Sequence, residues 1–181
     1  MTGQVIWITG MPGSGKTTLA LELAALLQPT QAVLLDGDRL RTALNDQNYT
    51  AEARKKLSMQ YAGLAKMLAD QGHTVIVAVV AMYREVHAWN RVNNKTYTEV
   101  FLRPSQEVLL QRNKKGLYNQ GSDFHRADSA EHHLNIEYPL DADITFDSGI
   151  HQPADMAREL LRKINSNAQP LSKPGNKCHA E

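Results

Sequence analysis

Val5-Ile6-Trp7-Ile8-Thr9-Gly10-Met11-Pro12-Gly13-Ser14-Gly15-Lys16-Thr17-Thr18 joins an apolar, β-rich run to a glycine-rich turn and then to a helical pattern. The apolar run reads as a strand of a buried parallel sheet, because both of its faces must be covered. Leu19, Leu23, Leu26 and Leu27 share one face of a helix predicted over Gly15 to Leu27, and Pro29 stops it. The turn between them fits the pattern G-x-x-x-x-G-K-[ST] in its required strand–turn–helix setting. Gly10, Gly13, Ser14 and Gly15 let backbone N–H groups wrap a phosphate chain, and the helix N-terminus adds partial positive charge. Lys16 can neutralise β- and γ-phosphate oxygens, the Thr17 hydroxyl can ligate Mg²⁺, and Thr18 follows in the same turn. A nucleotide triphosphate, ATP with Mg²⁺, is the expected ligand.

Outward from this stretch, strands and helices alternate. Ala32 to Asp36 reads as a second buried strand. Leu57, Tyr61, Leu64, Ala65 and Leu68 share one face of a long helix predicted over Ala51 to Gln71, with Gly72 as its stop. Thr74 to Val80 and Glu99 to Leu102 read as strands three and four. Ser105 can cap a helix that ends near Arg112, Asp143 to Phe146 reads as strand five, and Ala154 to Ile164 as a closing helix. Such alternation implies βαβ units, a parallel sheet of five strands and helices on both faces. Ligands then bind at the carboxyl ends of the strands. The polar stretch 113–137 is long for a passive connection and reads as a lid. Residues 165–181 are rich in Asn, Ser, Pro, Lys and Gly and read as a disordered tail, leaving one domain over 1–164.

The chain has 181 residues, with 20 Lys plus Arg against 19 Asp plus Glu, so the net charge of +1 argues against sequence-independent nucleic-acid binding, which needs a basic face. No apolar run approaches the length of about 18 residues that a membrane helix needs. Met1 to Val5 carries no secretory pattern, and the single Cys178 excludes an internal disulfide and a thiolate metal cluster. The expectation is a cytoplasmic protein with no nucleic-acid or membrane partner. His125, His132 and His133 cluster in the lid without accompanying cysteine or carboxylate spacing, which favours solvated histidines over a metal site. Trp7 reads as core, Trp89 as a helix anchor or a floor for the acceptor, and Cys178 has no nearby base to activate it.

The second strand ends in Leu35-Asp36-Gly37-Asp38-Arg39-Leu40-Arg41 and brings two carboxylates to the edge where a γ-phosphate would lie. A carboxylate there can accept the proton of a substrate hydroxyl. The alternative for Asp38 alone is to cap the following helix. Arg41, Arg54, Arg84 and Lys115 flank strand ends, and the planar fork of arginine suits phosphate or sulfate oxygens. Each of them alone can equally be a solvated surface charge. A nucleotide-hydrolysing switch has no use for several acceptor-side cations, and a silent binding module has none for Lys16, Thr17, Asp36 and Asp38 together. Transfer to an acceptor fits better than either.

Gly10–Thr17, Leu35-Asp36-Gly37-Asp38-x-x-Arg41 and Gln111-Arg112-x-x-Lys115-Gly116-Leu117-Tyr118 together resemble the adenylyl-sulfate (APS) kinase family, over about Val5 to Ser148. The resemblance implies a three-layer α/β/α P-loop kinase fold with a mobile lid. It implies transfer of the ATP γ-phosphate to the ribose 3′-hydroxyl of adenylyl sulfate, in the setting of sulfate assimilation. By that resemblance Asp36 orients or deprotonates the hydroxyl, with Asp38 near the Mg²⁺ and the acceptor. Arg41 and Arg54 contact the acceptor, Tyr83-Arg84 matches part of a Ser-Pro-Tyr-Arg segment, Arg112 lies near the ATP base and Lys115 faces the acceptor. Family members are commonly dimers, so a homodimer is expected.

Four departures fall on the acceptor side. Leu57 stands where the family usually has an acceptor-contacting Asn, and Ala81-Met82 replaces Ser-Pro. The spacing from Arg41 to Arg54 is one residue short. The Phe-Thr-Gly-Ile-Asp segment, whose ring stacks on the acceptor adenine, gives way to Gly121-Ser122-Asp123-Phe124-His125-Arg126-Ala127-Asp128. A pocket stripped of polar partners for one base discriminates that base less well. The alternative expectation is therefore an acceptor of another kind, such as cytidine diphosphoramidate in surface-polysaccharide modification.

Overall fold

The computed structural model describes residues 3–27, 32–112, 116 and 136–168. Five strands, β1 (Gln4–Gly10), β2 (Val33–Asp36), β3 (Thr74–Ala78), β4 (Tyr97–Leu102) and β5 (Ile144–Phe146), form one sheet in the order β2-β3-β1-β4-β5. Every pairing is parallel. The described helices are α1 (Lys16–Leu26), α2 (Gly37–Ala43), α3 (Ala51–Asp70), α4 (Arg84–Asn93), α5 (Gln106–Arg112) and α6 (Pro153–Ala168).

Alternation along β1 builds the layers. Ile6 and Ile8 point to one face of the sheet and pack with Leu19 and Leu23 of α1 and Leu160 of α6. Val5 and Trp7 point to the other and pack with Leu57 and Tyr61 of α3 and Val86 of α4. All four β1 residues are fully buried, as a strand covered on both faces requires. Trp7 is core, as its place in the first strand implies. Trp89 packs against the same α3–α4 cluster.

The expected elements are found within a few residues of their predicted bounds. β3 ends at Ala78 rather than Val80, and β4 begins at Tyr97 rather than Glu99. The closing helix continues past Ile164 to Ala168, so the predicted tail begins inside a helix. Residues 169–181, Cys178 among them, lie outside the described residues. So does most of the predicted lid 113–137, with Lys115 and the histidines 125, 132 and 133. Among the described residues, no helix is long and apolar enough to cross a membrane, and no cluster of His, Cys, Asp or Glu could hold a metal ion.

Beneath the sheet edge, Glu99 of β4 is a buried carboxylate only 1 % exposed. His87 Nδ1 lies 3.0 Å from its Oε1, and Arg91 Nη2 and the Tyr97 hydroxyl donate to Oε2 at 3.2 and 3.1 Å. Burial pushes this carboxyl up, but His87, Arg91 and Tyr97 outweigh burial and hold it below its ordinary value. The network fixes α4, and with it the segment leading out of β3, against β4.

The sheet order places β1 between β3 and β4. The chain leaves β1 for β2, returns to β3 and then crosses β1 to reach β4. Gly10, Asp36 and Ala78 thus end three adjacent strands at a point where the strand order reverses, and a cleft opens there.

Candidate active site

The cleft encloses about 900 Å³. One half is the glycine-rich turn. Gly15 is the N-cap of α1 at φ 95°, a conformation that only glycine adopts without strain, and no side chain caps the helix. The first amides of α1 are therefore left open to an anion. Gly10 has φ 152°, and a Cβ there would stand 2.5 Å from the Leu102 carbonyl oxygen. Lys16 Nζ donates to the carbonyls of Gly10 and Met11 at 2.9 and 2.8 Å, folded over the loop it would leave for a phosphate. Lys16, Thr17 and Thr18 all line the cleft.

Arg112, at the end of α5, reaches across to this half. Its Nη1 donates to Gly13 O and Ser148 Oγ at 3.2 and 3.1 Å, and its Nη2 to Ser148 O at 2.5 Å. The Ser148 hydroxyl in turn donates to Ser14 O at 2.6 Å. This serine, buried after β5, ties the arginine to the loop.

The floor is Asp36. Its Oδ2 accepts from the Thr17 hydroxyl at 2.7 Å, and its Oδ1 from the backbone N–H groups of Asp38 and Arg39 at 3.1 and 3.2 Å. Asp36, not Asp38, is the cap of α2. The capping role open to Asp38 thus belongs to the preceding aspartate, and Asp38 sits in the first turn of α2, lining the cleft. Three donors fix the Asp36 carboxylate before any substrate arrives.

The other half is cationic and aromatic. Arg41 pairs with Asp46 at 2.8 Å and lies 4.6 Å from the centre of the Tyr49 ring. Arg54 donates to Tyr49 O at 2.8 Å and lies 5.4 Å from the same ring centre. Burial lowers the Arg54 guanidinium from its ordinary value, and Arg41 lowers it further, while Tyr83 and Tyr49 oppose. Two arginines converging on one wall is an arrangement that an anion would relieve. Leu57, 3 % exposed, forms part of this wall.

Thus Gly13, Gly15, Lys16, Thr17, Thr18, Asp36, Asp38, Arg41, Arg54 and Arg112 meet in one cleft, with Gly10 and Ser14 behind it. Arg84 does not join them. Tyr83, extended before α4, lines the cleft, while Arg84 opens the helix with an exposed side chain, its backbone N–H donating to Glu137 at 2.8 Å. Tyr49, Tyr61 and Ser148 are cleft residues that the sequence does not mark as site residues. Tyr49 is an aromatic in the polar connection between α2 and α3, which is a readable signal. Tyr61 is indistinguishable from core by its spacing. Ser148 is recognisable only from its contacts across 134 residues.

The family model described as adenylylsulphate kinase matches residues 2–147. The chain belongs to the adenylylsulphate kinase family. It is 35% identical over 149 residues to the adenylyl-sulfate kinase of Paraburkholderia xenovorans, covering 80% of this chain and 81% of that one. It is 39% identical over 118 residues to the cytidine diphosphoramidate kinase of Campylobacter jejuni, covering 64% of this chain and 69% of that one. The Mycobacterium tuberculosis APS kinase, solved with AMPPNP and APS, superposes with a TM-score of 0.76 at 27% identity, over 91% of this chain and 98% of that one. The fold expected from the resemblance is thereby borne out, and the protein is a kinase that phosphorylates a hydroxyl group.

Proposed function

We propose that this kinase transfers the γ-phosphate of ATP to the 3′-hydroxyl of adenylyl sulfate. The observation that carries the reading is the single cleft that joins the glycine-rich turn to the Arg41–Tyr49–Arg54 wall across Asp36. Relatives named adenylyl-sulfate kinases support the acceptor.

In this reading the triphosphate lies on the open amides of α1. Lys16 leaves the Gly10 and Met11 carbonyls for the β/γ oxygens, and Arg112 adds charge from the side of Ser148. Thr17 offers a hydroxyl, a hard oxygen donor of the few-ligand kind that suits Mg²⁺ beside substrate phosphates, and Asp36 holds that hydroxyl in place at 2.7 Å. Bound there with ATP, Mg²⁺ would neutralise charge on the β- and γ-phosphates. Asp38, which lines the cleft, would add negative charge near the same ion and face the acceptor. Arg41 and Arg54 hold the acceptor's anionic group. Asp36 orients the 3′-hydroxyl and takes its proton as the oxygen bonds to the γ-phosphorus, and the bond to the ADP oxygen breaks. Lys115 and the rest of 113–137 close over the acceptor and exclude water. Arg84 would reach the acceptor only by turning from its exposed position. The protein acts in the cytoplasm as a homodimer, which light scattering of the purified chain tests.

A second acceptor is favoured by one observation. Leu57, where the family resemblance expects an acceptor-contacting Asn, is a buried part of the cleft wall. With the similarity to a cytidine diphosphoramidate kinase, it supports a cytidine conjugate as the alternative substrate. The test is ATP with adenylyl sulfate, cytidine diphosphoramidate and plain nucleotides, read by product mass. Phosphorylated adenylyl sulfate is the expected product. Turnover of the cytidine conjugate alone would replace the first acceptor by the second, and equal ATP hydrolysis with and without every acceptor would refute both.

A further inference from the structure

Tyr61 belongs by spacing to the apolar face of α3, and its ring packs there with Leu57 and Val77. Its hydroxyl does not behave as a core group should. The residue is 5 % exposed, the hydroxyl is closed to water, and it has no hydrogen-bond partner. A buried polar group without a partner destabilises the fold, and phenylalanine would fill the same space without that cost. Yet Tyr61 also lines the cleft, on the acceptor half. The groups nearest it electrostatically are Arg41, Asp46, Asp38 and Tyr49. Burial, with Asp46 and Asp38 adding to it against Arg41, pushes the phenol up to about 12, so it keeps its proton throughout the working range of the enzyme.

We infer that Tyr61 is a specificity-determining residue, whose phenol donates a hydrogen bond to the polar edge of the bound acceptor. The inference rests on the two-substrate reading above and adds a residue to it. Arg41 supplies the route. In this structure it is committed to Asp46 and to the Asn48 carbonyl at 3.1 Å. An anionic acceptor competes for that guanidinium, and by this inference drawing it from Asp46 opens the phenol to the cleft. The orphaned donor is then satisfied only in the loaded enzyme. A hydrogen bond of this kind discriminates strongly, because an acceptor without a matching oxygen or nitrogen leaves the buried donor unpaired. Leu57 beside it offers no competing polar group, so the phenol takes over polar recognition on this wall.

Tyr61→Phe tests this directly, with Tyr61→Leu as a second variant that also removes the ring. Steady-state rates are measured with ATP and either adenylyl sulfate or cytidine diphosphoramidate, whichever the wild type turns over, beside thermal melting. Tyr61→Phe is expected to raise the acceptor KM about tenfold, the value of one hydrogen bond of about 1.4 kcal/mol. The ATP KM and kcat are expected to stay within twofold, and Tm to stay level or rise. Tyr61→Leu should raise the acceptor KM at least as much. An unchanged acceptor KM in Tyr61→Phe would overturn the inference while leaving the two-substrate reading intact. So would a parallel loss in both KM values with a lowered Tm, which is the signature of a packing role. Turnover of neither acceptor by the wild type would overturn the reading and the inference with it.

Discussion

Asp36→Asn separates what this carboxylate does for the fold from what it does for the reaction. The asparagine Oδ1 can keep the two backbone N–H groups of Asp38 and Arg39, and its amide faces the Thr17 hydroxyl, which can accept instead of donate. Asparagine is as good a cap as aspartate, so stability should move by less than about 1 kcal/mol. The charge and the base are lost. A positioned base contributes about 10²- to 10⁴-fold, so kcat should fall by that factor, equivalent to about 3–5 kcal/mol of barrier. Asp36→Ala gives the contrast. It removes the cap, worth about 1 kcal/mol, and strands a half-buried Thr17 hydroxyl, worth about 1–3 kcal/mol. Its Tm should therefore drop by roughly 5–15 °C at about 2–4 °C per kcal/mol for a chain of this size. The assay is ADP release at saturating ATP, Mg²⁺ and acceptor, with melting curves of all three proteins. A folded Asp36→Asn enzyme that kept more than a tenth of wild-type turnover would refute the assignment of Asp36 as base.

Lys16→Ala should abolish turnover, because the β- and γ-phosphate charge loses its partner; a turnover assay, with a melting curve to confirm that the variant is folded, checks it. Gly10→Ala should destabilise by at least about 2 kcal/mol, since it combines a strained φ with a Cβ 2.5 Å from the Leu102 oxygen and 2.7 Å from Ser14 Oγ; urea unfolding measures it. Glu99, held below its ordinary value, contributes stability that is present above the unfolded carboxylate pKa near 4.5 and lost as pH falls through its lower folded value. Denaturant midpoints should therefore drop below about pH 4.5, and Glu99→Gln should flatten that limb of the profile.

Several features were legible before any fold was known. The turn Gly10–Thr17 names its ligand class, because the glycines, the lysine and the flanking strand and helix are contiguous and act through local backbone geometry. The alternation of apolar strands and amphipathic helices gives a parallel sheet, since βαβ units allow little else. Asp36 and Asp38 announce an edge at a strand's carboxyl end. Other features are not local. The order β2-β3-β1-β4-β5 depends on which crossovers pass over β1, and nothing in the strands' own composition encodes it. The helical spacing that marks Tyr61 as core is correct for its ring and silent about its hydroxyl, whose surroundings come from α2 and the Tyr49 loop. Ser148 and Arg112 meet only because β5 lies beside β4, and Arg84 leaves the cleft that Tyr83 enters because a helix starts between their directions. Sequence carries chemistry wherever the acting groups are neighbours along the chain or share a helical or strand period. Which strand ends converge, and which buried groups are left without partners, is decided by packing among elements far apart in the chain.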